Sequence, residues 1–209
     1  MAWLLTACLL GATPAAAPRS VQDEFIRVAD DHWSFITARS RVRFVPFGTN
    51  FVLNDKKFLN MFGPDVYDAD RYERALAGLE SLGFNLVKVF LPIADVLPDP
   101  QVPGEVRVAP GYLENLDHFL GLARAHRMRV IVCLASWGGN RIRWWHEGGE
   151  YFGRKPWRSD EGVDSRDVLV RFWTVLGKRL KNNPTVFSYT PAVEWTFPSG
   201  NLTWTPPDQ

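Results

Sequence analysis

Short aliphatic runs alternate with amphipathic helical stripes along most of this chain, and that alternation restricts its fold more than any other feature. Residues 44–50 (Phe44-Val45-Pro46-Phe47-Gly48-Thr49-Asn50) read as a first strand. Residues 70–82 predict a helix, with Asp70 and Glu73 at capping-box spacing, Tyr72, Leu76, Leu79 and Leu82 as its apolar stripe, and Gly83 to close it. A second strand follows at residues 85–91. Residues 112–126 repeat the helical pattern through Leu113, Leu116, Leu120 and Ala123, and residues 129–135 make a third strand. Residues 165–181 carry Val168, Phe172, Val175, Leu176 and Leu180 at helical spacing, ahead of a fourth strand at residues 186–190. Strands separated by single helices imply βαβ units and a parallel sheet.

The loops are lopsided. Those after the strands are long, at residues 92–110 and 136–164, while Gly83 alone, or residues 182–184, suffice before the next strand. Long loops at the carboxyl ends of parallel strands mark the working face of a barrel. A dinucleotide-binding sheet is disfavoured, because Gly48-Thr49-Asn50-Phe51 lacks the glycine-rich turn that such a site needs. The expectation is therefore a (β/α)8 TIM-barrel type of α/β fold. A complete barrel has eight strands and typically about 250 residues, so a chain of 209 residues with four such strands reads as a truncated barrel. Residues 18–43 are expected to form an amino-terminal cap or hairpin, and residues 44–209 the amino-terminal half of the barrel. Such a half would leave two strand edges and an inner apolar face in need of cover.

Residues 1–17 read as a signal peptide. The apolar stretch from Trp3 to Leu10 is too short to span a bilayer, and small residues (Ala12, Ala15, Ala16 and Ala17) follow it. Export, either secreted or periplasmic, is the expectation, with no membrane span in the mature chain. A net charge of +1 without a Lys/Arg run gives no electrostatic case for a nucleic-acid partner. Beyond the leader Cys133 is the only cysteine, which leaves no intrachain disulfide and suggests a small buried hydrophobe in the third strand.

The sharpest chemical signal lies at the end of the fourth strand. Period-two alternation assigns Phe187, Tyr189 and Val193 to the helix-facing side, and Ser188, Thr190, Ala192 and Glu194 to the inner one. Glu194 would then stand at the barrel mouth beside Trp195. An indole neighbour desolvates a carboxyl and favours its proton-donating form. A poor alkoxide leaving group needs that proton. A lone Glu near a strand end is more often a solvated or salt-bridged residue. The loop after the third strand holds Trp137, Trp144, Trp145, Tyr151, Phe152 and Trp157, as a packed minicore or as sugar-stacking platforms. His146, Glu147, Glu150, Asp160 and Glu161 in that loop have no metal-ligand spacing, so neither metal nor cofactor is expected. Asn201-Leu202-Thr203 is an N-glycosylation sequon.

Three segments together resemble the clan A glycoside hydrolases, most of all the family 5 cellulases and β-mannanases: residues 45–50, residues 83–89, and residues 181–184 running into Val193-Glu194. The resemblance implies that Glu194 is the acid/base ending the fourth strand, and that the nucleophile belongs to a seventh strand outside this sequence. It also implies substrate contacts for Asn50, Lys88, Trp137, Trp144, Trp145 and Trp195. The sequence departs from the family in three places. Val193 stands where an Asn precedes the acid/base, Lys88 where an Arg is usual, and Ser136-Trp137 where a His follows the third strand. Lys is not an equivalent of the forked Arg donor. The expected activity is hydrolysis of O-glycosidic bonds in β-linked poly- or oligosaccharides by a retaining two-carboxylate mechanism, with this fragment inactive alone and its partner the missing carboxyl-terminal half. The alternative is a non-catalytic carbohydrate-binding or adhesion protein on a barrel scaffold.

Overall fold

The computed structural model describes residues 21–53, 60–135 and 162–193. A four-stranded parallel sheet runs through them in the order β4 (Gly48–Asn50), β5 (Leu86–Pro92), β6 (Arg129–Ala135) and β7 (Val186–Val193). Helices α1 (Ala69–Ser81), α3 (Tyr112–Ala125) and α4 (Ser165–Leu180) connect them. Ahead of this sheet β1 (Ile26–Val28), β2 (Phe35–Thr37) and β3 (Arg43–Phe44) form a small antiparallel sheet in that order. The proposed leader, residues 1–17, lies outside the described residues.

Both central strands carry buried apolar residues on both faces, as parallel strands covered on two sides do. Val87, Val89 and Leu91 of β5, with Val130, Val132 and Leu134 of β6, join one cluster with Tyr72 and Leu76 of α1, Leu116, Phe119 and Leu120 of α3, and Phe172 and Leu176 of α4. The alternate residues Phe90, Cys133 and Ala135 are also buried, in a second cluster on the opposite face. The inner surface expected to stand uncovered is thus closed to solvent at this level.

The elements differ from the sequence expectation in instructive ways. Phe44 belongs to the antiparallel sheet, pairing with Phe35, and the first parallel strand is only Gly48–Asn50. Pro46 has no N–H to give a ladder. The Asn85 side chain bridges the gap, accepting from Phe47 N and donating to Val45 O, each at 2.8 Å. Gly48 admits no side chain, because a Cβ there would meet Leu86 O at 2.6 Å. Helix α1 is capped by Asp68, whose carboxylate accepts from Arg71 N at 2.9 Å, and not by Asp70. Gly83, at φ 82°, closes it through Gly83 N to Glu80 O and Phe84 N to Leu79 O, the Schellman arrangement. Leu82 falls past the last turn and is 70% exposed, and Val175 likewise leaves the α4 stripe. The segment read as loop after β5 opens with the short helix α2 (Ile93–Val96), whose Ile93 and Val96 are buried. Gln101, also buried, holds the rest of it through Pro98 O, Arg107 O and Arg107 N.

The largest correction concerns β7. Its ladder with β6 shifts register between Val130 and Ile131 and again between Cys133 and Ala135. Each shift inserts a residue and interrupts strict alternation. Phe187 accordingly packs on Phe35 and Phe44 of the antiparallel sheet, while Tyr189 packs on Trp173 of α4. The two rings thus have different partners, Phe187 the antiparallel sheet and Tyr189 a barrel helix.

His126 ends α3 with both ring nitrogens engaged: Nδ1 lies 2.8 Å from Glu80 Oε2, and Nε2 lies 2.7 Å from Glu73 Oε1. Arg127 adds a second cation to Glu80 at 2.6 Å. An ionised carboxylate only accepts, so a contact at each nitrogen favours the imidazolium, which can donate from both. Burial opposes that charge, but the bonds to Glu80 and Glu73 outweigh it and raise the pKa above 6.5. A raised folded-state pKa means stabilisation that is complete below 6.5 and lost as pH rises through the folded value. The urea midpoint should therefore fall from about pH 6 to about pH 8, and His126→Gln should flatten that slope; an unchanged slope would refute the assignment. Asn85→Ala removes two hydrogen bonds and should cost about 1–3 kcal/mol, read from urea denaturation at constant pH.

Candidate active-site face

Parallel partners project to the same side, so the register sorts the inner face into layers. The lowest pairs Asn50 with Lys88, Lys88 with Ile131, and Ile131 with Ser188. The next contains Phe90, Cys133 and Thr190, and above it the backbones of Pro92, Ala135 and Val193 are paired. From Ile131 to Ala135 is four residues, or about 13 Å at 3.3 Å per residue. Asn50 and Lys88 therefore belong to a layer well below the carboxyl rim of the sheet.

Lys88 is half-buried, with its Nζ 5.3 Å from the centroid of the Phe90 ring. A ring face partly offsets the desolvation of an ammonium. Asn50 is exposed at the end of β4, beside it. Among the described inner residues the polar groups are Asn50, Lys88, Arg129, Ser188 and Thr190, and none is a carboxylate. This floor can orient hydroxyls and hold one cation, but it offers no general acid. Glu194, Trp137, Trp144, Trp145 and Trp195 lie outside the described residues. Of the six expected binding and rim partners, the structure thus brings together Asn50 and Lys88. Phe90, which lines the layer above together with the inward Thr190 read from the sequence, went unrecognised; the alternation of β5 around Lys88 was the signal for it. Among the described residues no cluster of His, Cys, Asp and Glu could hold a metal, and no helix is long and apolar enough to cross a membrane.

The opposite end of the sheet is built differently. A cavity of about 310 Å³ separates the antiparallel sheet from the amino ends of β5 and β6, lined among others by Phe44, Glu80, Asn85, Arg127 and Arg129. Buried Arg129 donates to Val21 O, Gln22 O and Pro184 O, tying the chain ahead of β1 and the turn before β7 to β6. Burial lowers its pKa, opposed by Asp23 and Glu24. In a βα barrel this end serves stability, whereas chemistry sits at the carboxyl ends. Size alone does not make this cavity the site.

No family model matches the chain, and no curated protein does. Solved structures are similar to it. One is a β-mannanase from the blue mussel Mytilus edulis, at 15% identity and TM-score 0.55, with 81% of this chain and 45% of that one covered. Another is a hyperthermophilic endocellulase from the archaeon Pyrococcus horikoshii, at 17% identity and TM-score 0.54, with 87% and 47% covered. A β-1,4-D-mannanase from Cryptopygus antarcticus gives 14% identity and TM-score 0.54 over 79% and 43%. The chain spans less than half the length of these proteins.

Phe90 and Lys88 should separate sharply on substitution. Phe90→Ala opens a buried cluster and should cost about 3–5 kcal/mol. Lys88→Met keeps the apolar stem and removes only the ammonium, so its urea midpoint should not fall; a large loss would mean that the charge holds the fold. The parallel sheet with its flanking helices agrees with these neighbours: the chain has the fold of a truncated (β/α)8 barrel, like part of the barrel of the endocellulase and β-mannanases named above.

Proposed function

We propose that the chain is the amino-terminal half of a retaining glycoside hydrolase acting on β-linked glycans, with Glu194 as its acid/base. The observation that supports this reading most is the extent of β7. It runs to Val193, opposite Ala135 at the end of β6, so Glu194 is the next residue beyond a strand's carboxyl end, where barrel catalysis is built. The solved structures with this half-barrel fold include β-mannanases and endocellulases, and the inner floor provides polar groups without a competing carboxylate.

In this mechanism Glu194 gives its proton to the leaving glycosidic oxygen. A second carboxylate, from a later strand of the complete barrel, attacks the anomeric carbon and forms a glycosyl-enzyme. Glu194 then takes a proton from the water that releases the sugar. The two carboxyls would stand about 5–5.5 Å apart, the separation that gives retention. Trp195, next in the chain, would desolvate Glu194 and hold it protonated before the first step. Trp137, Trp144 and Trp145 would stack sugar rings, and Lys88 and Asn50 would act from the layer below. Residues 1–17 would direct export. The residues of this chain alone would not turn over a glycoside, since one carboxylate cannot serve as both acid and nucleophile. The Val193 and Lys88 departures favour a second reading, a glycan-binding barrel without turnover.

The two readings part on one variant of the full-length enzyme. Glu194→Gln should slow substrates with poor leaving groups about 10²–10⁴-fold. Activated aryl glycosides should lose less in the first step, accumulate the covalent intermediate, and recover turnover with azide, which needs no base. Equal small losses on both substrate types, without azide rescue, would remove Glu194 from the mechanism. Absence of turnover in the wild type, with glycan binding retained, would favour the second reading.

A further inference from the structure

Trp33 is 90% exposed, although it belongs to a turn whose backbone is fully determined. The turn joins β1 to β2 and is closed by Ala29 N to Ser34 O at 2.8 Å and His32 N to Ala29 O at 3.0 Å. Asp31 fills it: one carboxylate oxygen accepts from Trp33 N and Ser34 N at 2.9 Å, and the other from Ser34 Oγ at 2.6 Å. His32 takes a left-handed φ of 62° to make the corner. The Ser34 hydroxyl and the Ser34 and Trp33 amides lower the Asp31 pKa to about 2, so the carboxylate stays ionised and the turn persists through any ordinary pH. A large amphipathic ring is thus held out in water on a rigid support. Trp is ordinarily among the more buried residues, and its flat apolar face with one N–H suits a ligand that is apolar on one side and wet on the other.

The surroundings narrow the ligand. Arg41 and Arg27 both pair with Asp30, at 2.8 and 3.4 Å, on the flanks of this turn. Arg43 acts electrostatically on Asp31. Positive and negative groups nearly balance, which gives no field for a polyanion and leaves exposed donors and acceptors on the turn and the strands that flank it. A β-linked pyranose matches that combination. Its axial C–H bonds make a flat apolar face, its equatorial hydroxyls radiate from the edge, and it carries no charge. The antiparallel sheet that bears the turn packs, through Phe35 and Phe44, on Phe187 near the amino end of β7. The ring therefore belongs to the end of the barrel away from the catalytic rim.

We infer that the Trp33 turn is a second glycan-binding surface, which holds a neutral β-glycan chain by stacking on the indole, with Arg27 and Arg41 donating to its hydroxyls and Asp30 accepting from them. The inference rests on the glycan-directed function proposed above and adds a contact outside the cleft. The test uses full-length protein and two neutral probes, a soluble β-mannan and a soluble β-glucan, with affinity read by electrophoresis through glycan-containing gels. Trp33→Ala should leave the melting temperature unchanged, since the side chain touches little. It should weaken retention by at least about tenfold, equivalent to about 1.4 kcal/mol, on whichever probe the wild type binds. Trp33→Phe should restore part of the retention, because a smaller ring still stacks. Equal retention of wild type and Trp33→Ala would overturn this surface and leave the function standing. Wild type that binds neither probe would overturn the function and this surface together. A change in self-association with unchanged glycan retention would overturn it in favour of a protein contact.

Discussion

Two adjoining strands that must be covered on both faces control this structure. β5 and β6 each bury six of their seven residues, with helices closing one side and inward side chains the other, since a parallel sheet is covered on both faces. Val87, Val89 and Leu91 meet the helices, whereas Phe90, Cys133 and Ala135 close the inner side. Everything else is attached to that pair. The chain on either side of the antiparallel sheet is tied to the pair by Arg129 and Asn85, and α1 and α3 are clasped by His126 and Arg127 through Glu73 and Glu80.

That arrangement divides labour between the two ends. At the amino end the polar groups are spent on one another: Arg129 is directed at backbone carbonyls, Asn85 at a gap in the ladder, and His126 at two carboxylates. Further along the strands, still below the carboxyl rim, the inner layers hold Lys88 beside Phe90, with Asn50, Ser188 and Thr190 in register around them. Groups committed to holding the fold are poor candidates for chemistry. Groups facing a polar inner floor, below strand ends that lead into long loops, suit the binding of a hydroxyl-rich ligand.

The bulged strand β7 links fold to function. Two added residues alter which side chains face the helices and bring Val193 level with Ala135. In the function proposed above the acid follows this strand at the rim, so the height at which β7 ends would matter, and each bulge adds one residue to one strand of the pair. The same shifts free Phe187 to pack on Phe35 and Phe44, which joins the antiparallel sheet to the barrel interior.

The order of strands and helices, the parallel sheet and the apolar stripes of α1, α3 and α4 were legible in the sequence, because hydrophobic periodicity is a local property that burial merely enforces. The third strand was legible to the residue, and so was the role of Cys133 as a buried apolar group. Other features depend on contacts between residues distant in the chain. Asp68 and not Asp70 caps α1, because the helix begins at Ala69 and takes Asp70 into its first turn, while Glu73, the far member of the expected capping box, is turned to His126, 53 residues away. The first strand begins late because Asn85 takes the bonds that Pro46 disrupts. The bulges of β7 arise from pairing with β6, and no period within residues 186–193 announces them. Side-chain alternation can be counted along a chain, but register is decided only when a second strand lies beside it. Sequence therefore named the layers of this protein, and tertiary pairing chose which residues stand together in each.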